Sequence, residues 1–292
     1  MMTNEIENSK QSRHPVRKVL AKLRNCGPVT IALWVMVIIY SFPIFWLLLS
    51  SFKGPDELFA LPMSFFPRRW TVSGYIAAWQ RIDFARYFMN TAVVAIITTV
   101  LTVALSAITG YALAKYDYWW TRAFFIALLL TTMLPTEVIM SPSFIVVHKM
   151  GMYNTLAGII VPSIITATGI FMFRQFFISV DDEMMQAARV DGCSELQIFM
   201  HVMLPMSLPT MITLAIFSME WRWNDYIWPL IILNDPKNFT LQVALRSLVG
   251  AEKVDWSVLL PASVISMIPL LILFCIFQKY IVGADLDAGL KG

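Results

Sequence analysis

The chain has 292 residues, of which 58% are hydrophobic and 14% charged, with a net charge of +3. Both fractions lie far from those of soluble domains, so lipid must cover much of the apolar surface. The small positive charge, with no basic stripe beyond the N-terminal tail, excludes a nucleic-acid partner.

The first 28 residues are polar and basic, with Lys10, Arg13, Arg17, Lys18, Lys22 and Arg24. The apolar run that follows, 29–51, is too long for a signal peptide and reads as a retained helix. Runs of roughly 20 apolar residues, long enough to cross a bilayer, recur. They are 29–52, 87–114, 123–147 (interrupted by Pro135 and Glu137), 155–173, 204 to about 232, and 257–278. The expected fold is an all-α integral membrane protein of six transmembrane helices. An even number of spans puts both termini on one side. Lysines and arginines nearly balance between the two sides, so the basic flank of the first helix decides the orientation, and both termini are expected in the cytoplasm.

Between the spans lie two outer loops, 53–86 and 234–256, and one long inner loop, 174–203. The first outer loop is rich in Pro and aromatic residues. The second opens with an Asn234-Asp235-Pro236 turn and continues with Leu241, Leu245, Leu248 and Val249 at helical spacing. No internal repeat is visible, which suggests half of a pore completed by a second subunit.

The inner loop carries the most information. Asp181 can cap a helix whose first turn holds Asp182 and Glu183. Met184, Ala187, Ala188 and Val190 follow at helical spacing. Gly192 is expected to end that helix in a left-handed conformation. Ser194 and Gln197 form a capping box for a second helix, and Pro205 is placed near the start of the fifth span. The prediction is a cytoplasmic helix-turn-helix between spans 4 and 5, within a loop at 179–205. Ala187 and Ala188 would let another backbone approach closely. The element reads either as a docking surface for a soluble partner or as an interfacial connector.

The run Gln186-Ala187-Ala188, then Gly192, then Val202 and Leu204-Pro205, resembles the Glu-Ala-Ala loop of ATP-binding-cassette importer permeases. After residue 30 nearly the whole chain is similar to the second permease subunit of maltose-type carbohydrate importers. The matching pieces include Ser51-Phe52-Lys53, Asn90-Thr91, Gly110 to Lys115, Phe173 to Phe177, Trp223-Asn224, Trp228-Pro229-Leu230, Gln278-Lys279-Tyr280 and the terminal Gly289 to Gly292. The resemblance implies a basic tail at 1–28, a permease domain at 29–283 and a cytoplasmic tail at 284–292. It implies residence in a bacterial or archaeal inner membrane.

The implied partners are a second homologous permease, an ATP-binding subunit dimer, an extracytoplasmic solute-binding protein and membrane lipid. A sugar-like solute is the implied cargo. Glu183, Gln186, Ala187, Ala188, Asp191, Gly192, Leu204 and Pro205 would couple to the ATPase, and Lys291 and Gly292 would reach towards it. Gln186 departs from the family's glutamate, keeping a hydrogen bond but losing the charge, which Glu183 or Asp182 is expected to supply. The stretch from Met133 to Val138 also resembles glycerol-phosphate importers, so a sugar, a polyol and a glycerol phosphate all stay open.

Charged residues inside a membrane usually face a cavity or a partner. Glu137, Glu220, Arg222, Asn224 and Asp225 therefore read either as a pathway wall or gate, or as a structural network. The accompanying Trp221, Trp223, Tyr226 and Trp228 read as sugar-stacking faces or as an interfacial belt. Cys26, Cys193 and Cys275, like His14, His148 and His201, are scattered without metal-ligand spacing. No catalytic constellation and no phosphate-cradling glycine loop are present, so no enzyme activity and no cofactor are expected, and ATP would bind to another subunit. A secondary transporter acting alone is the competing class.

Overall fold

The structure, a computed structural model, describes residues 27–249 and 254–289, with helical side chains from Thr30 to Gln278. The basic tail at 1–26 and the terminal Lys291 and Gly292 lie outside the described residues. The chain divides into two compact units at Thr71 and Val72.

The first unit contains α1 (Pro28–Ser50) and the short α2 (Pro55–Leu58). Gly27 precedes α1 in an extended conformation, and Pro28 opens the helix where its missing N–H costs nothing. Apolar side chains cover α1 on all sides, as a lipid-facing helix requires. Beyond it the chain is pinned by two charges. The buried Lys53 ammonium lies 4.6 Å from the Trp46 ring and donates to the Ser64 carbonyl at 2.6 Å. The Glu57 carboxylate accepts from Ser64 Oγ at 2.9 Å and from the Arg68 amide at 2.7 Å. The Arg68 amide leads the contacts that hold Glu57 below the ordinary carboxylate range.

The second unit comprises α3 (Ser73–Arg81), α4 (Phe84–Lys115), α5 (Trp119–Thr132), α6 (Thr136–Lys149), α7 (Leu156–Ser163), α8 (Ala167–Ile178), α9 (Asp182–Val190), α10 (Glu195–Met206), α11 (Leu208–Trp223), α12 (Ile227–Ile232), α13 (Leu241–Ser247) and α14 (Trp256–Gly289). Among the described residues of the whole chain, four helical segments are long and apolar enough to cross a membrane without a sharp bend. Two bent pairs raise the number to six.

The bends have chemical causes. Between α5 and α6 the axis turns by 111° at Met133 to Pro135, because Pro135 cannot donate to the turn behind it. Between α10 and α11 it turns by 72° around the buried Ser207. The fifth apolar run is therefore not one helix. Pro205 sits inside α10 rather than at the start of a straight span, and the turn before it, Phe199–Met203, is wound as a π-helix. A proline there offers no N–H to the carbonyl four residues back, and wider winding re-pairs the local ladder, with the Leu204 amide bonding to the Phe199 carbonyl. The run breaks again at Asn224 to Tyr226 before α12. The fourth span, by contrast, continues past Phe173 to Ile178, re-capped midway by Thr166 Oγ1, which accepts from the Gly169 amide at 3.2 Å.

The most extensive packing between helices is that of α4 with α8. An ideal Cβ on Gly110 would stand 2.5 Å from Phe173 Cβ and 2.9 Å from the Arg174 amide nitrogen. One on Gly169 would stand 2.5 Å from Ser106 Oγ. Small residues at both ends of the contact let the two backbones meet, the usual basis of helix association in lipid. Three polar pairs tie the interior together: Trp223 Nε1 donates to the Ser266 carbonyl at 2.9 Å, Trp228 Nε1 to the Gly158 carbonyl at 3.2 Å, and Thr99 Oγ1 to Ser218 Oγ at 3.1 Å. At the far end of α4, Asn90 donates to the Lys237 and Phe239 carbonyls, each at 3.0 Å, and Thr91 Oγ1 accepts from the Leu241 amide at 2.8 Å. The apolar stretch read in the second outer loop is thus α13, with Leu241 and Leu245 buried.

Replacing Gly110 by Val should force α4 and α8 apart. Overpacking of this kind costs about 1–3 kcal/mol. A lower melting temperature of the purified protein and a lower yield from the membrane are the expected results, and an unchanged melting temperature would contradict the close contact.

Candidate functional site

The predicted helix-turn-helix is formed by α9 and the start of α10. The turn between them is built from backbone. The Gly192 amide donates to the Arg189 carbonyl and the Cys193 amide to the Ala188 carbonyl, each at 3.0 Å, and Gly192 has φ +83°. This pair of bonds is a Schellman motif, which needs a residue in the left-handed region. The capping box is present as well: the Ser194 amide donates to Gln197 Oε1 at 2.8 Å, and the Gln197 amide donates to Ser194 Oγ at 3.4 Å. Asp181 occupies the N-cap position of α9, but its side chain makes no capping bond.

The element has an inner and an outer face. Met185 is buried with Val180, Ile198, Phe199 and Met203 against Tyr111, Phe173, Phe177 and Leu214. Ala188 and Cys193 lean on the same cluster. Glu183, Gln186, Ala187 and Asp191 are exposed. So are large apolar side chains, foremost Val190 at 88% and Leu196 at 71%. Of the two small residues read as permitting close approach, only Ala187 faces outward. Leu204 packs against the cluster, and Pro205 is exposed nearby.

Two consecutive residues at the end of α4 grip both arms of this element. The Lys115 side chain is 5% exposed, and its ammonium donates to the Val180 carbonyl and to Asp182 Oδ1, both at 2.7 Å. Tyr116 Oη donates to Glu195 Oε2 at 2.8 Å. Across the turn, Arg189 Nε donates to Glu195 Oε1 at 2.7 Å. The carboxyl groups titrate accordingly. The Lys115 hydrogen bond holds Asp182 below its ordinary range, and Arg189, followed by Tyr116, does the same for Glu195. Burial, followed by the bond to Glu195, pushes the Tyr116 phenol far up, so it remains a donor. Glu183 shows no ion pair among the described residues. The sequence singled out Lys115 only as a helix end and did not single out Tyr116, Arg189 or Glu195. The α4 contacts span 65 to 79 residues and leave no local signal.

The second set of candidates separates. Arg222 and Asp225 are largely buried and 3.9 Å apart, with Arg222 Nη2 also 3.4 Å from the Ser163 carbonyl. They line a cavity of about 300 Å³ together with Thr136, Ser143, Ser163 and Trp228. Glu220 and Asn224 are exposed, bonded to each other at 3.0 Å, and Asn224 lies 3.5 Å from Gln242. Glu137, in the first turn of α6, is exposed and does not line the cavity. Trp223 and Trp228 serve in helix packing rather than in a belt, whereas Trp221 is exposed and stacks on Phe217.

The family of binding-protein-dependent transport system inner membrane components matches residues 103–283. The arabinooligosaccharide transport permease AraQ of Halalkalibacterium halodurans is 33% identical over 90% of this chain and 96% of its own length. The diacetylchitobiose uptake permease NgcG of Streptomyces coelicolor is 29% identical over 86% and 84%. The sn-glycerol-3-phosphate transport permease UgpE of Pectobacterium atrosepticum is 28% identical over 88% and 95%. In fold, the chain is similar to a bacterial transporter for import of the polysaccharide alginate, with a TM-score of 0.77, 22% identity and coverage of 91% and 98%.

The Gly192 turn has open space around its Cα but a left-handed backbone. Gly192→Val should cost about 1–2 kcal/mol locally, whereas Gly192→Asn, which tolerates that region, should cost less. Limited proteolysis between α9 and α10 should accelerate in the Val variant more than in the Asn variant. Equal protection in both would contradict the turn geometry.

Proposed function

The chain belongs to the binding-protein-dependent transport system inner membrane components, and we propose that it carries an oligosaccharide or related sugar through half of a pathway completed by a second permease. It is the permease subunit of an ATP-driven importer. The observation that carries the coupling proposal is the surface helix-turn-helix gripped by Lys115 and Tyr116. An ATPase subunit would dock on its exposed face, around Glu183, Gln186, Ala187 and Val190. Closure of that ATPase would move α9, and the buried Lys115 contact would pass the motion to α4. Energy must come from a difference in ATP binding between the two states.

In this arrangement both termini and the helix-turn-helix face the cytoplasm. An apolar cavity of about 720 Å³ lined from α4, α10, α11 and α14 supports pairing with a second membrane subunit. A sugar is favoured over a glycerol phosphate by the Arg222–Asp225 pair. The buried guanidinium already stands beside a carboxylate, which suits hydroxyl groups better than a phosphate dianion. The solute-binding protein would deliver the cargo on the opposite side.

Asp182 is committed to Lys115, which leaves Glu183 to supply the charge that Gln186 lacks. Affinity purification of a tagged chain in gentle detergent should recover an ATPase and a second permease. Glu183→Gln should reduce ATPase recovery more than Gln186→Ala, and the reverse order would refute this assignment. Lys115→Met keeps the stem and removes the ammonium. Loss of a charged hydrogen bond is worth about 1.5–3 kcal/mol. Transport per ATP hydrolysed should fall at least about fivefold in that variant, with the ATPase still bound. Unchanged coupling would mean that α4 does not receive the motion.

A further inference from the structure

Beside the grip on the helix-turn-helix, the start of α5 and the end of α8 enclose a cavity of about 370 Å³, lined by Tyr116, Asp117, Thr121, Arg122, Phe125 and Arg174. Transport coupling as derived above uses only Tyr116 of this set.

The charges in the cavity do not cancel. Arg122 is spoken for, since its Nε donates to Asp117 Oδ1 at 2.6 Å. Arg174 has no carboxylate partner among the described residues. Its Nε makes a long bond of 3.3 Å to the Leu113 carbonyl, and its guanidinium lies 4.1 Å from the Phe125 ring centroid. That stacking fixes the plane of the group and leaves its terminal nitrogens without an acceptor among the described residues. Two guanidiniums against one carboxylate leave one positive charge in a walled pocket.

The position of the pocket indicates what neutralises it. Tyr118, Trp119 and Trp120 follow directly, are 55%, 82% and 52% exposed, and Tyr118 stacks on Trp120 at 5.7 Å. Exposed aromatic clusters next to the start of an apolar helix mark the level of the lipid headgroups. A half-buried guanidinium at that level faces the plane of the phosphates and binds them bidentately. We infer that the Arg174 cavity is a binding site for the phosphodiester of an anionic phospholipid, with Arg174 as the principal donor, Arg122 beside it and the Tyr118 to Trp120 aromatics against the glycerol and upper acyl chains. One net positive charge matches one phosphodiester monoanion. A zwitterionic lipid would bring a second cation into the same pocket. The leaflet is the one on the side of the helix-turn-helix, because Tyr116 belongs to both sites.

The test uses the intact complex, washed free of lipid in mild detergent and titrated with dioleoylphosphatidylglycerol, with bound lipid counted by native mass spectrometry. The wild-type chain should retain phosphatidylglycerol and not dioleoylphosphatidylcholine. Loss of a charged hydrogen-bond donor is worth about tenfold or more in affinity, so Arg174→Gln should bind phosphatidylglycerol at least about tenfold more weakly. Lys149→Gln, away from the cavity, should bind it as the wild type does. If Arg174→Gln does not fold, Arg174→Lys, which keeps the charge but not the fork, should bind at an intermediate strength. Equal retention of the two lipids by the wild type, or unaltered phosphatidylglycerol binding in the Arg174 variants, would overturn the assignment. So would full displacement of the lipid by inorganic phosphate at matched ionic strength, which would make the site one for free phosphate.

Discussion

The contact of α4 with α8 at Gly110 is the constraint on which the second unit rests. In lipid there is no hydrophobic gain in bringing two apolar helices together, so close van der Waals packing has to hold them. The glycines at 110 and 169 supply the space, and Phe173, fully buried, closes it. Because Phe173 and Phe177 lie on the α4-facing side of α8, the same contact extends into the cluster that receives Met185 from α9. The core packed between α4 and α8 and the base of the helix-turn-helix are one packed body, with no flexible link between α9 and α4.

The length of α4 sets how far its contacts reach. Its 32 residues rise about 48 Å, well beyond a hydrocarbon core of about 30 Å. Both ends therefore stand where polar groups are wanted, and both are used. Asn90 and Thr91 hold the chain that leads into α13, and Lys115 and Tyr116 hold the helix-turn-helix. These bonds fix α4 to polar structure at each end. Burying an ammonium as deeply as that of Lys115 is favourable only when its donors are satisfied, and the Val180 carbonyl and Asp182 do this together. The pairing fixes one position of α9 rather than a range of them.

What could be read from the sequence follows from how local each signal is. Gly192, Ser194 and Gln197 announce the turn and the second cap within six residues, and the backbone bonds form where expected. Pro135 announces a break but not its 111° angle, because a proline removes a donor without dictating where the next helix goes. The fifth apolar run reads as one span in the sequence but is broken in the structure for a related reason. Apolar periodicity runs on through Ser207, while the interruption there comes from backbone pairing, which composition does not display. The α4 ends of the grip are polar residues in a polar loop region, far from their partners in sequence, and nothing local distinguishes them from solvated surface.

The fate of the intramembrane charges follows from the same difference. Glu137, Glu220, Arg222, Asn224 and Asp225 look alike as polar residues near apolar runs, yet burial sorts them. Arg222 and Asp225 are held at 17% and 19% side-chain exposure, where a lone charge of either sign would be prohibitive and a nearby opposite charge offsets it. At 3.9 Å their contact is an electrostatic one rather than a short hydrogen bond, so each keeps capacity to bond a third group. Glu220 and Asn224, exposed and bonded to each other, need no such group. The cavity beside Arg222 and Asp225 thus presents both a donor and an acceptor, and Glu137 is not part of it.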